Sequence, residues 1–521
     1  MAETTMEKKP LGFLTFCRTA LSWMSLLLLC GLALLNVLRT GWVGMDEAYF
    51  WQEAMYWQWD SLLAFAVAGS CMALLFGGLY RLTRRIPVQG LCWMVTAAIF
   101  MVGVCWVLVV DFAPRADAQI MAEIAQDWLQ QGYSAFAPDE YLFFYPYQMG
   151  YGLLLMQMLK LFGPENIRAV QMVHALAAAM CYFFTAQIGL VLFGEKRGRM
   201  TLLLGMGFWC AWMFSPFVYG NIPSLMLGLA AIWMQLVWQL RGGSWVWIAG
   251  SGAALGASIL LKSFSLIFLV GQAILLFLHT LRTHRKAALA WVLALLLCWQ
   301  GGFGAMRSWA EQKTGQPLNE GVPKIGWIVM GLQGEVDQPV PPGWYNGYQH
   351  HLYEDVGYDA DRMQQVAQQD LKARLEEFAR DPVLAVKFFG QKIQSQWADP
   401  TAESLWLCYS GPEPEEPYPP LQEAIFSGGI FWLILHWMNW FQSLVWVCGA
   451  GYLLAHRKQV TLEQLLPGLL ILGGFLFQLF WEGKSQYLVP YYMLALPYAA
   501  AGVYEALCWL RRHLRHRADF A

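Results

Sequence analysis

The run QGLCWMVTAAIFMVGVCWVLVV, residues 89–110, contains no charged residue, and it is one of many such runs along the chain. Uncharged stretches of about 18–25 residues match the hydrocarbon core of a bilayer. Lipid offers a backbone no hydrogen-bond partners, so each such run must satisfy its own N–H and C=O groups as a helix. This requirement predicts an all-α polytopic membrane protein. Composition agrees: of 521 residues, 57% are hydrophobic and only 13% charged, with a mean hydropathy of +0.39. A soluble chain carries about twice that charge. The net charge of −2 is uninformative, and no basic tract suggests a nucleic-acid partner. Cys408 alone among the eleven cysteines lies in a long polar segment, which argues against a disulfide framework. The first apolar run is not followed by a small-residue cleavage site, so it reads as an uncleaved helix.

Helices are predicted near 17–38, 61–80, 90–110, 167–193, 200–216, 219–240, 245–262, 264–281, 287–308, 427–454, 463–481 and 487–509. The short connections RLTRR (81–85), EKRGR (195–199), LRTHRK (281–286) and AHRK (455–458) and the tail RRHLRHR (511–517) are basic. All fall on one side if the N-terminus, with Lys8, Lys9 and Arg18, lies there too, which the positive-inside rule makes cytoplasmic. The expectation is about twelve spans in a plasma-membrane protein with both termini inside. Residues 1–88 would form a tail and two additional spans, and 89–308 the core with a first external loop at 111–166. Residues 309–426 would be an external region, and 427–521 the final spans with a basic tail. The long loop should be a small folded element with one polar helix at about 360–379. Within 111–166, an amphipathic helix (118–131) precedes the aromatic patch YLFFYPY. The element PYQMGYGLLLMQMLKLFG (146–163) follows, too short to span and expected to lie at the outer interface.

Charges gather on that outer side. Asp117 opens a helix, where a capping aspartate and a general base at the water–lipid boundary are both open readings. Asp111 ends a span. Arg115, between the two, can neutralise either carboxylate or bind a phosphate. Lys262 sits at the outer end of an apolar hairpin. Snorkelling is the ordinary explanation of such a lysine, but its outward position points to a phosphate or headgroup contact. Glu482, Lys484 and Tyr487 crowd a tight outer turn, where a salt bridge within the turn is the simpler account. His350 and His351 are adjacent and lack spaced carboxylates, a weak metal signal. No cofactor is implied, and participation of a divalent metal is left open.

Several segments then resemble one family. PRADAQIMAEIA (114–125), YPYQMGYGLLLMQMLKLFG (145–163) and the long helix that follows are similar to the first external loop and next helix of GT-C glycosyltransferases. The nearest branch is glycosyltransferase family 39, with the protein O-mannosyltransferases and the aminoarabinose transferase of lipid A. GAALGASILLKSFSLIFLV (252–270) and WEGKSQYLVPYYMLALP (481–497) resemble that branch's lysine hairpin and late turn. The resemblance implies a polyprenyl-phosphate sugar donor and a glycan, lipid or protein acceptor. It also implies transfer with inversion on the external membrane face. It makes Asp117, with Asp111 as the neighbouring candidate, the catalytic base. Lys262, Arg115 and Lys484 become donor-phosphate ligands, and Glu482, Tyr487, Gln486, Tyr147, Gln148 and Asn221 substrate contacts. Gln486 stands where the family usually has arginine, and Asn221 where relatives often carry aspartate. In an alternative register the pair Asp46–Glu47 would be catalytic. A non-catalytic protein that binds lipid-linked glycans or handles polymers is the competing reading. A transporter is disfavoured because the helix interiors are nearly free of charge.

Overall fold

A computed structural model of the chain describes residues 8–46, 52–242, 244–283, 287–409 and 419–518. The first apolar run forms α1 (Lys8–Leu38). A hairpin of β1 (Arg39–Asp46) and β2 (Gln52–Trp59) follows, and α2 (Leu62–Thr83) returns. Next come α3 (Val88–Val110), α4 (Ala116–Leu129), the single turn α5 (Tyr141–Phe144) and α6 (Met149–Phe162). The long α7 (Ile167–Gly205) leads through the turn α8 (Cys210–Met213) into α9 (Asn221–Arg241), α10 (Trp245–Leu261) and α11 (Ser265–Thr283). A π-helical turn at Leu297–Gly301 joins α12 (Ala288–Leu296) to α13 (Gly302–Thr314). The long polar region 309–426 contains α14 (Lys324–Gly331), α15 (Tyr348–Asp355), α16 (Ala360–Arg380), α17 (Pro382–Trp397) and α18 (Pro420–Phe426). The chain closes with α19 (Gly429–His456), α20 (Leu466–Phe480) and α21 (Val489–Ala518).

Among the described residues, nine helices are long and apolar enough to cross a membrane, and Trp245–Leu261 and Ser265–Leu281 are shorter apolar helices. The protein is an all-α, multi-pass membrane protein with one two-stranded antiparallel sheet. Two local expectations change. Residues 200–216 do not form one helix: α7 kinks at Gly194 (φ 79°) and its returning arm stops at Gly205, after which turns surround α8. Those turns carry carbonyls that other segments bond, as Trp106 Nε1 does to Met213 O at 3.0 Å. Between the first two helices, β2 pairs with β1 in an antiparallel hairpin. Four further helices accompany the predicted polar one in 309–426.

The basic connections meet at one end of the bundle. Arg199 donates to Thr83 O at 2.7 Å and to Ile86 O at 2.9 Å. Glu505 receives Arg197 at 2.5 Å and His456 at 2.5 Å. Segments 83–86, 197–199 and 456 therefore share a surface, as the charge pattern requires. Part of 281–286 lies outside the described residues. At the other end α17 anchors the polar region 309–426. Its Trp397 is fully buried against Trp446 of α19 and Tyr491 of α21, at ring separations of 6.0 Å each. Removing such a ring costs about 3–5 kcal/mol, so this element is fixed to the bundle and is not a tether.

Candidate active site at the helix ends opposite the basic connections

Two glycines determine how closely the site elements approach. A Cβ at Gly150, in α6, would lie 2.0 Å from Leu260 O, and one at Gly220 would lie 2.4 Å from Leu261 O. Only a residue without a side chain lets the end of α10 wedge between α6 and the turn before α9. Lys262, which follows α10 in extended conformation, thereby meets Tyr219, its Nζ lying 3.8 Å from the ring centroid.

Asp117 arrives from the opposite direction. α3 ends with Asp111 in left-handed conformation (φ 47°), and the chain runs extended through Arg115 before α4 begins. Buried Gln171 of α7 donates to Phe112 O and to Pro216 O, each at 2.9 Å. One side-chain amide thus holds both the loop that carries Asp117 and the turn that carries Tyr219. Asp117 is not the cap: Arg115 occupies that position without a capping side-chain bond, and Asp117 lies in the first turn. Its Oδ2 accepts the Tyr219 hydroxyl at 3.1 Å. Tyr141 Oη lies 3.2 Å from Tyr219 Oη, and Gln148 Nε2 also donates to it. Asp117 remains exposed to the space it faces.

Glu482 completes the constellation. It is buried, accepts the Tyr487 hydroxyl at 3.0 Å, and lies within electrostatic range of Asp117, Lys262 and Tyr147. Burial raises the Glu482 carboxyl to a pKa of about 7, outweighing the nearby Lys484 and the Tyr487 hydrogen bond. Burial likewise lowers Lys262 to about 8, although Asp117 and Glu482 pull it upward. Lys262 still reaches the space it lines while lying deep among protein atoms. Near neutral pH the cluster therefore sets a cationic Lys262 and a Glu482 carboxyl at its titration point beside the exposed Asp117.

The other sequence candidates sit as follows. Asp111 pairs with Arg168 on an exposed surface and makes no contact with the Tyr219 cluster. Arg115 donates to Trp406 O at 2.6 Å and stacks over the Trp406 ring at 4.9 Å. Lys484 is enclosed: it pairs with Glu53 and lies 3.8 Å from Glu403 and 3.8 Å from the Trp344 ring centroid. Asn221, Gln486 and Tyr487 line one narrow cleft with Phe214, Phe264 and Pro490, and Asn221 Oδ1 is buried there without a protein partner. The two departures from the family pattern therefore face the same space. Asp46 lies in β1, where its side chain is not described, and Glu47 is outside the described residues.

Sequence reasoning missed Tyr219, Tyr141, Gln171 and Glu53. Glu53 joins the hairpin to the late turn through Lys484 and accepts Trp406 Nε1 at 2.6 Å. Asp399 and Glu403 accept Ser485 Oγ at 2.7 and 3.0 Å, fixing the turn from below. For a metal, one grouping among the described residues, Asp139, His350 and Glu354, has ligating atoms within 4.8 Å of one another. Its internal contacts are Tyr358 on Asp139 at 3.2 Å and His350 on Glu354 at 2.9 Å. His351 is not in it.

No family model matches the chain, and no curated protein does. Solved structures with a similar arrangement include an archaeal oligosaccharyltransferase, AglB from Archaeoglobus fulgidus, in complex with an inhibitory peptide and a dolichol-phosphate. That match has a TM-score of 0.39 and 10% identity, covering 81% of this chain and 51% of that one. The chain thus spans about half the length of the AglB chain. ArnT from Cupriavidus metallidurans bound to undecaprenyl phosphate matches with a TM-score of 0.35 and 13% identity, over 79% of this chain and 78% of that one. Its apo form gives the same TM-score and identity. These values are too low to carry any residue's role across. The chain is thus similar, at low identity and low TM-score, to an archaeal oligosaccharyltransferase and to ArnT.

Proposed function

We propose that the protein is an integral membrane glycosyltransferase. It moves a sugar from a polyprenyl-phosphate donor to an acceptor hydroxyl at the outer membrane surface, with inversion. The observation that carries this reading is the meeting of Asp117, Tyr219, Lys262 and Glu482 at the helix ends opposite the basic connections. The lipid tail must stay among apolar helices while the sugar phosphate meets an acceptor in water. A site at the helix ends serves both needs. Asp117, exposed and oriented by Tyr219, accepts the acceptor's proton as the hydroxyl oxygen attacks the anomeric carbon. The bond from that carbon to the phosphate oxygen breaks, and negative charge grows on the departing polyprenyl phosphate. Lys262 is already in place to receive that charge, so little reorganisation is needed at the moment of transfer. Glu482 modulates the field: neutral below about pH 7, it removes a negative charge from the phosphate's surroundings.

A transporter would need ionisable groups along its helix interiors. The buried pair His279–Glu463, 3.8 Å apart, lies near the basic end, far along α11 from Lys262. It gives no continuous path of charges. The test is mass spectrometry of lipid-linked sugars and envelope glycans in a deletion strain. Accumulation of a polyprenyl-phosphate sugar with loss of one glycan modification is expected. Unchanged profiles in both pools would overturn the reading.

A further inference from the structure

A second, open cleft is lined by Gln333, Glu335, Gln338, Trp344, Tyr345 and Asn346, among others. We infer that this cleft is the acceptor subsite of the transferase proposed above, and that the acceptor is an uncharged, hydroxyl-rich glycan chain.

The lining carries the chemical argument. Asn346 Nδ2 donates to Gln333 Oε1 at 2.9 Å and Gln338 Nε2 to Glu335 at 3.5 Å, and the donors and acceptors that Gln333, Glu335 and Asn346 have left over match the paired hydroxyls of a sugar ring. Tyr345 is 50% exposed and presents an aromatic face, the surface on which the apolar side of a sugar packs. No lysine, arginine or histidine lines the cleft, so a phosphorylated lipid headgroup finds no counter-charge. Lys484 lies beneath the Trp344 ring but is already held by Glu53 and Glu403.

Position ties the cleft to the reaction. Tyr345 lies in hydrogen-bonding reach of Tyr145 and within the electrostatic range of both Asp117 and Glu482. One end of the cleft therefore lies on the side of the cluster around Asp117. Its floor is fixed in the same frame. Gly343 N donates to Gln333 O at 2.7 Å, and Gly343 O accepts Gly483 N at 2.7 Å, beside Glu482. Met55 N of the hairpin donates to Pro339 O at 2.9 Å. The fully buried Lys392 bonds Gly331 O and, at 2.6 Å, Trp481 O. Late turn, hairpin and the polar region 309–426 thus share backbone contacts, so a glycan lying in the cleft would present its end hydroxyl to Asp117 in fixed register. A fixed register of this kind is what lowers the entropy cost of transfer.

The test uses the full-length protein in lipid nanodiscs, with uncharged linear hexasaccharides of α-1,4-glucose, β-1,4-glucose and β-1,4-N-acetylglucosamine as probes. Saturable binding of at least one is expected by saturation-transfer NMR. Tyr345→Ala should weaken it about three- to tenfold, the worth of one aromatic contact, and Tyr345→Phe should retain it. The double change Glu335→Ala/Gln338→Ala should weaken it as well. Undecaprenyl phosphate binding, followed in the same samples, reports on the fold and on the donor side. If no hexasaccharide binds while undecaprenyl phosphate still binds in a Lys262-dependent way, the cleft assignment fails and the transferase reading stands. Binding that survives all three substitutions unchanged, or a hydroxyl-bearing peptide that binds in place of the glycans, would also overturn the assignment.

Discussion

Replacing Lys262 with methionine would keep the length and most of the packing of the side chain while deleting its charge. In the folded protein the ammonium lies over the Tyr219 ring, 3.8 Å from its centroid, with Asp117 and Glu482 as its nearby carboxyl groups. A charge-assisted contact to a phosphate contributes about 1.5–3 kcal/mol, or roughly ten- to a hundredfold in affinity. The upper end of that range is expected here, because without Lys262 the phosphate would meet two acidic groups and no opposing cation from α10. Lys262→Arg should recover part of the loss, since guanidinium keeps the charge but approaches a phosphate as a planar fork. The assay is undecaprenyl phosphate binding to purified protein in nanodiscs, with thermal unfolding measured in parallel. A snorkelling lysine predicts the reverse pattern: Lys262→Met would bind undecaprenyl phosphate as the parent does and change only expression or stability. That result would refute the phosphate assignment.

Donor affinity should depend on pH through Glu482 and Lys262. A phosphodiester donor keeps one negative charge throughout, so affinity should rise as pH falls through about 8, where Lys262 charges, and again through about 7, where Glu482 becomes neutral. Glu482→Gln should abolish the lower step only, as read from binding curves between pH 6 and 9. The same variant should flatten a stability slope. The folded Glu482 carboxyl holds its proton up to about pH 7, above its ordinary value of 4.5, so stability falls as pH rises through that window and the cost is complete above it. Lys484→Ala should act on the fold: it strands the buried Glu403 carboxylate, at a cost of about 3–5 kcal/mol, and lowers the unfolding temperature by several degrees. An unchanged unfolding temperature combined with lost undecaprenyl phosphate binding would return Lys484 to the phosphate side.

The spans were legible because lipid imposes a severe rule on composition, and α3 and α20 match their predicted bounds to within about three residues. Basic connections encoded which ends belong together, and the Arg199 and Glu505 contacts agree. The segment at 200–216 was not legible, because an apolar run reads alike whether it is one helix or an arm, two turns and a short helix. What breaks it is tertiary: the carbonyls of Met213 and Pro216 serve Trp106 and Gln171 from other helices. Asp117, Lys262 and Glu482 were visible as charges at the ends of apolar runs. Tyr219 was not, since a tyrosine in an aromatic-rich turn carries no pattern; only Gly220 beside it hints at a close approach. Glu53 was hidden by distance. It lies in a hairpin joined to what reads as a peripheral pair of helices, and only folding brings it to Lys484.

The most direct test of the account is transfer by Asp117→Asn. The substitution keeps shape and removes most of the basicity, so the variant should fold, bind undecaprenyl phosphate as the parent does, and lose at least about a hundredfold in transfer to the glycan pool of the deletion strain. Near-normal transfer by Asp117→Asn, with loss in Asp111→Asn or in Asp46→Asn, would contradict it by moving the base to a different part of the outer surface.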